Sequence, residues 1–162
     1  MTVYSSAGLQ IYIGGVMAQG DDLTLADFTT PPQTWVQIKE VEAAGSVGDT
    51  SEAITFTALD DSRTRTIKGP RSAGTMEIVC GIDPDDPGQQ AVIAAEKEIH
   101  DYGFKLVFND APAGGTPSER YFIGKVMSQA EQYDQANNVM KLNISIGVNS
   151  NVVRVARAEA TP

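Results

Sequence analysis

A strand-like segment that runs directly into a helix-forming segment places the strongest limit on the fold of this chain. Residues 75–80, Thr-Met-Glu-Ile-Val-Cys, alternate polar and apolar side chains, which is typical of a half-buried strand with Met76, Ile78 and Cys80 on one face. The sequence that follows, Asp83-Pro-Asp-Asp-Pro-Gly88, cannot continue the strand, because each proline removes a backbone donor. The pattern therefore predicts a strand, a turn and then a new element.

That new element has the start signal of an α-helix. Asp86 suits the N-cap, because its carboxylate can accept hydrogen bonds from backbone N–H groups, and Pro87 suits the first helical position, where no donor is lost. Apolar residues then recur at spacings of three and four, which predicts an amphipathic helix over residues 87–102, packed against a sheet. Gly103 is the expected C-cap. The predicted apolar stripe consists of Val92, Ala95, Ile99 and Tyr102.

The rest of the sequence indicates strands and loops. The clearest alternation runs over residues 139–148, where the apolar side chains from Met140 to Val148 occupy every second position. We predict a mainly β fold, a β-sandwich or barrel of about seven or eight antiparallel strands with one helix laid against it. The other strand-like segments are 9–16, 35–41, 53–59, 63–68, 104–108 and 120–127.

Three regions are expected along the chain. Residues 35–148 form the predicted β-sandwich domain. Residues 1–34 are expected to be an N-terminal arm rather than a core element, because segment 21–32 carries acids and prolines that favour extended or turn backbone. A short helical turn over residues 23–28 is the alternative. Residues 149–162 are expected to be a C-terminal tail.

Composition excludes several classes of function. With 12 basic and 21 acidic residues, the net charge of −9 argues against a surface that grips nucleic acid. A single cysteine excludes an internal disulfide and a cysteine-rich zinc site, and it suits a reducing compartment. We find neither a secretory signal after Met1 nor an apolar run near the ~20 residues that span a bilayer. The expectation is a soluble protein, made in the cytoplasm, that inserts into no membrane.

The residues that could carry chemistry lack the partners that chemistry requires. His100 has no companion for general-base or metal binding work, so we interpret it as a surface or boundary residue. The acids of segment 83–86 lack calcium-loop spacing and the distal glutamate. Asp60 and Asp61 fit a turn better than a catalytic carboxylate pair. Cys80 fits a small core residue. The sequence predicts no catalytic residue, no metal site and no cofactor.

The order of these features resembles the major tail tube proteins of long-tailed, non-contractile bacteriophages. The resemblance covers roughly residues 35–148, and the tube proteins of gene transfer agents are also similar. The type VI secretion tube protein is a more distant relative. The matching segments are Trp35-Val-Gln-Ile-Lys-Glu-Val41, Glu52-Ala-Ile-Thr-Phe-Thr-Ala-Leu59, Gly74-Thr-Met-Glu-Ile, Asp85-Asp-Pro-Gly-Gln89, Tyr121-Phe-Ile-Gly-Lys-Val126 and 139–147.

The resemblance implies a structural protein of the virion tail, assembled in the cytoplasm of a bacterial host. Such subunits form six-membered rings, and the rings stack into a tube whose acidic lumen conducts DNA without binding it specifically. The implied partners are further copies of the chain and other tail proteins, such as the tape measure and the terminator. The alternative is a monomeric β-sandwich module that binds carbohydrate or protein, although 7% aromatic residues supply little for a binding platform.

One long connection is the predicted contact between rings. It separates two predicted strands, contains two glycines and lacks apolar periodicity, whereas hairpin loops usually have about two to five residues. Long loops on rigid strands are commonly functional. A solvated loop without a partner is the alternative. The residues of this predicted inter-ring loop are Glu42, Ala43, Ala44, Gly45, Ser46, Val47, Gly48, Asp49, Thr50 and Ser51.

Overall fold

The computed structural model describes residues 2–161, in which ten strands and two helices are present. The elements are β1 (Gln10–Val16), α1 (Leu25–Thr29), β2 (Val36–Ile38), β3 (Val41–Ala43), β4 (Thr50–Thr57), β5 (Thr64–Ser72), β6 (Thr75–Gly81), α2 (Pro87–Glu96), β7 (Tyr102–Val107), β8 (Glu119–Gln132), β9 (Lys141–Val148) and β10 (Val153–Val155). Eight strands form one antiparallel sheet in the order β2-β1-β7-β8-β9-β6-β3, with β10 paired to β8, and β4 pairs only with β5. The predicted mainly β fold is confirmed.

The main core is enclosed by the eight-stranded sheet and α2. Strand alternation sends Met76, Ile78 and Cys80 of β6 into it, as the sequence predicts, and β9 contributes every second residue in the same way. The stacked rings of Phe104 and Phe122, with centroids 5.4 Å apart, fill the part beneath β7 and β8. Val92 and Ala95 of α2 are buried in the same cluster, so the helix serves as one wall of the core.

A second, smaller cluster covers the other face of β8. Phe28 of α1 is fully buried against Tyr121, with ring centroids 5.3 Å apart, and Ile123 completes the cluster. Strand β8 is therefore buried on both faces at this point. The structure adopts the helical alternative for this segment, as α1. The helix places the Phe28 side chain in this buried cluster.

The helix α2 begins as predicted but ends earlier. Asp86 is its N-cap and accepts a hydrogen bond from the Gln89 backbone N–H at 3.2 Å, and Pro87 is its first residue. The predicted end at residue 102 is wrong, because the helix ends at Glu96 and Tyr102 is already the first residue of β7. The pairing of β7 with β1 and β8 overrides the continued spacing of apolar residues.

Two residues assigned to that helix therefore have other environments. Ile99 is 82% exposed rather than part of the apolar stripe. Gly103 lies inside β7 and not at a C-cap, at a place where an added Cβ would come within 2.7 Å of the Met17 sulfur. The glycine therefore leaves room for the Met17 side chain and does not end a helix.

The expectation that residues 1–34 lie outside the core is wrong for β1. This strand sits inside the sheet between β2 and β7, and its Ile11 and Ile13 are core residues. The predicted strand over residues 35–41 is also interrupted, because Glu40 adopts a positive φ of 60° between β2 and β3. This break lets β2 pair with β1 at one end of the sheet while β3 pairs with β6 at the other.

Candidate assembly surface

The β4–β5 hairpin stands apart from the rest of the fold. Its two strands pair with each other from Thr50↔Ser72 to Thr57↔Thr64, and no other strand of residues 2–161 pairs with either. At the tip, Asp61 accepts a hydrogen bond from the Arg63 backbone N–H at 3.1 Å and pairs with the Arg65 guanidinium at 2.8 Å. The predicted turn role of this aspartate is what the structure shows.

The hairpin has two chemically different faces. Because side chains alternate along a strand, Ile54 and Phe56 of β4 lie on one face, and Ile67 of β5 lies opposite Ile54 on the same face. These three side chains are 48%, 56% and 53% exposed, respectively. The other face is polar, with the hydroxyls of Thr57 and Thr64 2.9 Å apart. The result is a hairpin with an apolar patch on one face, beside Arg65, which lies opposite Phe56; no other part of residues 2–161 covers this patch.

The two outer edges of the hairpin are also free. An edge without a partner strand presents unpaired N–H and C=O groups, which makes it a template for pairing with another chain. A two-stranded hairpin is also only marginally stable by itself in water. Exposed apolar side chains together with open edges indicate a surface that is completed by another molecule.

The predicted inter-ring loop lies at the base of this hairpin and is shorter than expected. Strand β3 takes residues 41–43 because they pair with β6, and β4 begins at Thr50, so the connection consists of residues 44–49. Ion pairs lie at both ends of the Glu42–Ser51 segment: Glu42 pairs with Lys141 at 2.9 Å, and Asp49 pairs with Arg71 at 2.6 Å.

The middle of this connection is packed on one side and open on the other. Ala44 and Val47 contact the main core. Gly45 has a positive φ of 62°, and a Cβ added to it would lie 2.6 Å from the backbone carbonyl oxygen of Glu77. Gly48 has nothing within 4 Å of an added Cβ. A side chain could therefore be added at Gly48 without a clash inside the subunit.

The residues considered for chemistry are dispersed in the structure. His100 is exposed beyond the end of α2. Cys80 is buried, and its burial, followed by the nearby Asp86 carboxylate, raises the pKa of the thiol to about 11. Within residues 2–161, no three His, Cys, Asp or Glu side chains are close enough together to hold a metal ion. No helix in this part of the chain has the length and apolar character needed to cross a membrane.

Sequence reasoning missed two features, one of the hairpin surface and one of the core. It recognised β4 and β5 as a hairpin, but the alternation of Ile54 and Phe56 is equally typical of a strand that packs on its own core. It also gave no role to Gln89, a buried side chain that fixes the start of α2. In both cases the sequence pattern does not report whether a distant part of the fold packs on the residue.

Residues 25–157 match the sequence model of the phage tail tube proteins, abbreviated TTP. The chain belongs to this family. It is therefore a structural subunit of a tail tube, a component of the virion tail, and not an enzyme. Among curated protein sequences, none matches the chain.

Solved structures with the same fold come from several tube-bearing particles. The baseplate of the anti-feeding prophage contains a chain with a TM-score of 0.69 at 8% identity, over 96% of this chain and 97% of that one. The tail of an empty gene transfer agent particle gives 0.62 at 15% identity, over 95% and 100%. The SPP1 tail tube gives 0.61 at 12% identity, over 94% and 78%. The resemblance to tail tube proteins, including those of gene transfer agents, is confirmed.

Proposed function

We propose that this tail tube protein forms six-membered rings in which the β4–β5 hairpin of each subunit packs on the next subunit. The observation that carries the proposal is the uncovered apolar face of the hairpin, Ile54, Phe56 and Ile67, between two free edges. A head-to-tail contact between different surfaces closes into a ring when the rotation between subunits allows it. Sixfold symmetry was applied to the anti-feeding prophage baseplate and to the gene transfer agent tail, which have the same fold.

The energetics favour such a contact. Full burial of an apolar side chain of this size contributes about 1.5–3 kcal/mol, so three half-exposed side chains offer several kcal/mol per contact. Strand pairing along the free edges would satisfy backbone groups that water now solvates. Since the same contact recurs at every subunit of a ring, a modest gain per contact suffices for a stable ring.

The rings are proposed to stack through the Glu42–Ser51 segment, and the tube is proposed to conduct DNA through an acidic lumen. The exposure of most of this segment, including Gly48 with its surrounding space, supports the first part. The net charge of −9 supports the second part, because an acidic wall repels phosphates and leaves the DNA free to slide. Assembly in the host cytoplasm, with tape measure and terminator proteins as further partners, completes the proposal.

The ring contact is tested by adding a charge to either face of the hairpin. The wild-type chain should form rings or tubes in negative-stain electron micrographs when concentrated. Phe56→Asp should remain monomeric in sedimentation, because a carboxylate cannot be buried in the apolar contact, while its melting temperature stays near that of the wild type. Thr55→Asp carries the same charge on the polar face and should still assemble. Normal tubes from Phe56→Asp would exclude the hairpin contact, and a wild type that stays monomeric would favour the binding-module alternative.

The stacking contact is tested by adding bulk at the open point of the loop. Gly48→Tyr should fold normally, because the space around Gly48 is empty, but should give separate rings instead of tubes. Ala94→Tyr, on the exposed side of α2, is the matched control and should give tubes of normal length. Long tubes from Gly48→Tyr would show that this segment does not join the rings.

A further inference from the structure

Four of the six arginines of this acidic chain line two neighbouring cavities at the side of the sheet where β10 pairs with β8. The larger cavity, of about 770 Å³, is lined by Arg120, Arg154 and Arg157 together with residues near the N-terminus. The smaller one, of about 520 Å³, shares Arg120 and Arg154 and adds Arg71. We call Arg120, Arg154 and Arg157 the arginine cluster.

None of the three side chains of the arginine cluster forms an ion pair within residues 2–161. The arginines that do form ion pairs there are Arg65 and Arg71. Arg120 donates to the backbone carbonyl of Glu119 at 2.9 Å. Arg157 donates to the Tyr4 hydroxyl and to the backbone carbonyl of Asp110. The side chain of Arg154 forms no hydrogen bond or ion pair in this part of the chain.

Two acids beside the larger cavity, Asp110 and Glu119, are already engaged, whereas the smaller cavity is also lined by Asp22 and by Asp49, the partner of Arg71. Both carboxylate oxygens of Asp110 accept hydrogen bonds from Ser118, at 2.8 Å from its backbone N–H and at 2.6 Å from its hydroxyl. Glu119 accepts the hydroxyl of Tyr121 at 2.6 Å. The larger cavity therefore presents three guanidinium groups that form no ion pair with a carboxylate.

The fold also places two of these positive charges against each other. Arg154 of β10 is the direct cross-strand partner of Arg120 of β8. Like charges that face each other across a pair of strands destabilise it. Burial, and after it the charge of Arg154, lowers the pKa of Arg120, and the Asp110 carboxylate acts in the opposite direction. A further anion in the cavity would reduce the repulsion between Arg120 and Arg154.

We propose that the arginine cluster is a contact site for carboxylate side chains of a second copy of this chain. Guanidinium groups bind carboxylates through two parallel hydrogen bonds, which gives such contacts both strength and orientation. Each copy carries 21 acidic residues against 12 basic ones, so a neighbouring copy supplies an excess of the required groups. Arg154 and Arg157 are exposed at the cavity and can be reached from outside. This inference rests on the proposed function, because the tube is what brings two copies together.

The first test separates assembly from folding. Arg154→Glu should not lower the melting temperature, since the new carboxylate would face Arg120 across the strand pair, yet it should raise the protein concentration needed for tube formation about tenfold or more. Lys97→Glu makes the same change of charge at an exposed site and should shift that concentration less than about twofold. Equal assembly of Arg154→Glu and wild type would overturn the inference while leaving the proposed function intact. A wild type that forms no tubes would instead overturn the proposed function, and this inference with it.

The second test identifies the carboxylate. Arg154→Lys keeps the charge and should assemble, and a carbodiimide then joins its amine to any carboxylate in contact through an amide bond. Tubes made from equal amounts of ¹⁴N and ¹⁵N protein should give linked peptides of mixed label, which shows that the bond joins two copies. Peptides linked only within one copy, or none at the substituted position, would overturn the contact. Protection of that amine by inorganic phosphate or DNA, without any inter-copy link, would also overturn it.

Discussion

A single buried amide, Gln89, joins three parts of the fold. Its Nε2 donates to the backbone carbonyls of Lys39 at 3.1 Å and Gly81 at 2.8 Å, and its Oε1 accepts from the Asp83 backbone N–H at 3.0 Å. Gln89→Leu keeps a similar volume but leaves these buried backbone groups without a partner. We expect a loss of about 2–4 kcal/mol in the free energy of unfolding, measured by urea denaturation.

The neighbouring glutamine provides the matched control. Gln90 makes its side-chain hydrogen bond to the Pro84 carbonyl at an exposed position. Gln90→Leu should therefore change the free energy of unfolding by no more than about 0.5 kcal/mol. If the two variants lose the same stability, the three hydrogen bonds of Gln89 are not what fixes the start of α2.

Cys80 gives the chain a pH dependence that can be isolated. Its thiol pKa rises from the ordinary 9.0 to about 11 on folding, so the folded state keeps a proton that the unfolded chain has lost. The cysteine therefore adds no pH dependence below pH 9, and between pH 9 and 11 it makes stability fall as pH rises. Burial also raises the pKa of Tyr121, which acts in the same direction at high pH. The fall in stability over this interval should be smaller in Cys80→Ala than in the wild type, and equal slopes would contradict the assignment.

At the scale of elements, α2 is stabilised by the buried residues between Pro87 and Glu96 and not by the apolar residues that follow. Val92 is fully buried, so Val92→Asp should cost about 3–5 kcal/mol by placing a carboxylate in the core. Ile99 lies beyond the helix and is 82% exposed, so Ile99→Asp should change stability by less than about 0.5 kcal/mol. Thermal melts of the two variants decide this, and the opposite ranking would restore the longer helix that the apolar spacing predicted.

The elements that the sequence predicts well are those whose signals are local. The cap at Asp86 and the buried face of β6 depend on neighbouring residues alone, and both are where the sequence places them. The end of α2 and the core position of β1 depend on pairing with strands that lie far along the chain, which local spacing does not report. The Lys39 carbonyl that accepts a hydrogen bond from Gln89 lies 50 residues away in the sequence. The apolar face of the hairpin is exposed because no other part of residues 2–161 packs on it. The candidate assembly surface therefore depends on the strand topology, which the local sequence pattern does not predict.

At the scale of the whole molecule, the excess of acidic residues makes the surface unsuited to holding DNA. Binding to a duplex gains free energy mainly by releasing counterions as basic groups neutralise phosphates, and a chain with net charge −9 offers few such contacts. The arginine cluster does not change this expectation, because three guanidinium groups release few counterions compared with the ~6–10 phosphate contacts that make binding strongly salt-dependent.

We therefore expect no retardation of double-stranded DNA by this protein in a gel-shift assay at about 10 μM protein and about 150 mM salt. Non-specific binders have dissociation constants of about 10⁻⁴–10⁻⁶ M, so the tighter of them shift DNA at this protein concentration. The assay should be run on subunits and on assembled tubes, with a basic DNA-binding protein of similar size as the positive control. Arg154→Glu should behave like the wild type, which separates the arginine cluster from any DNA contact. Retardation by tubes alone would mean that assembly concentrates positive charge on a surface open to DNA, and the acidic-lumen proposal would then be wrong.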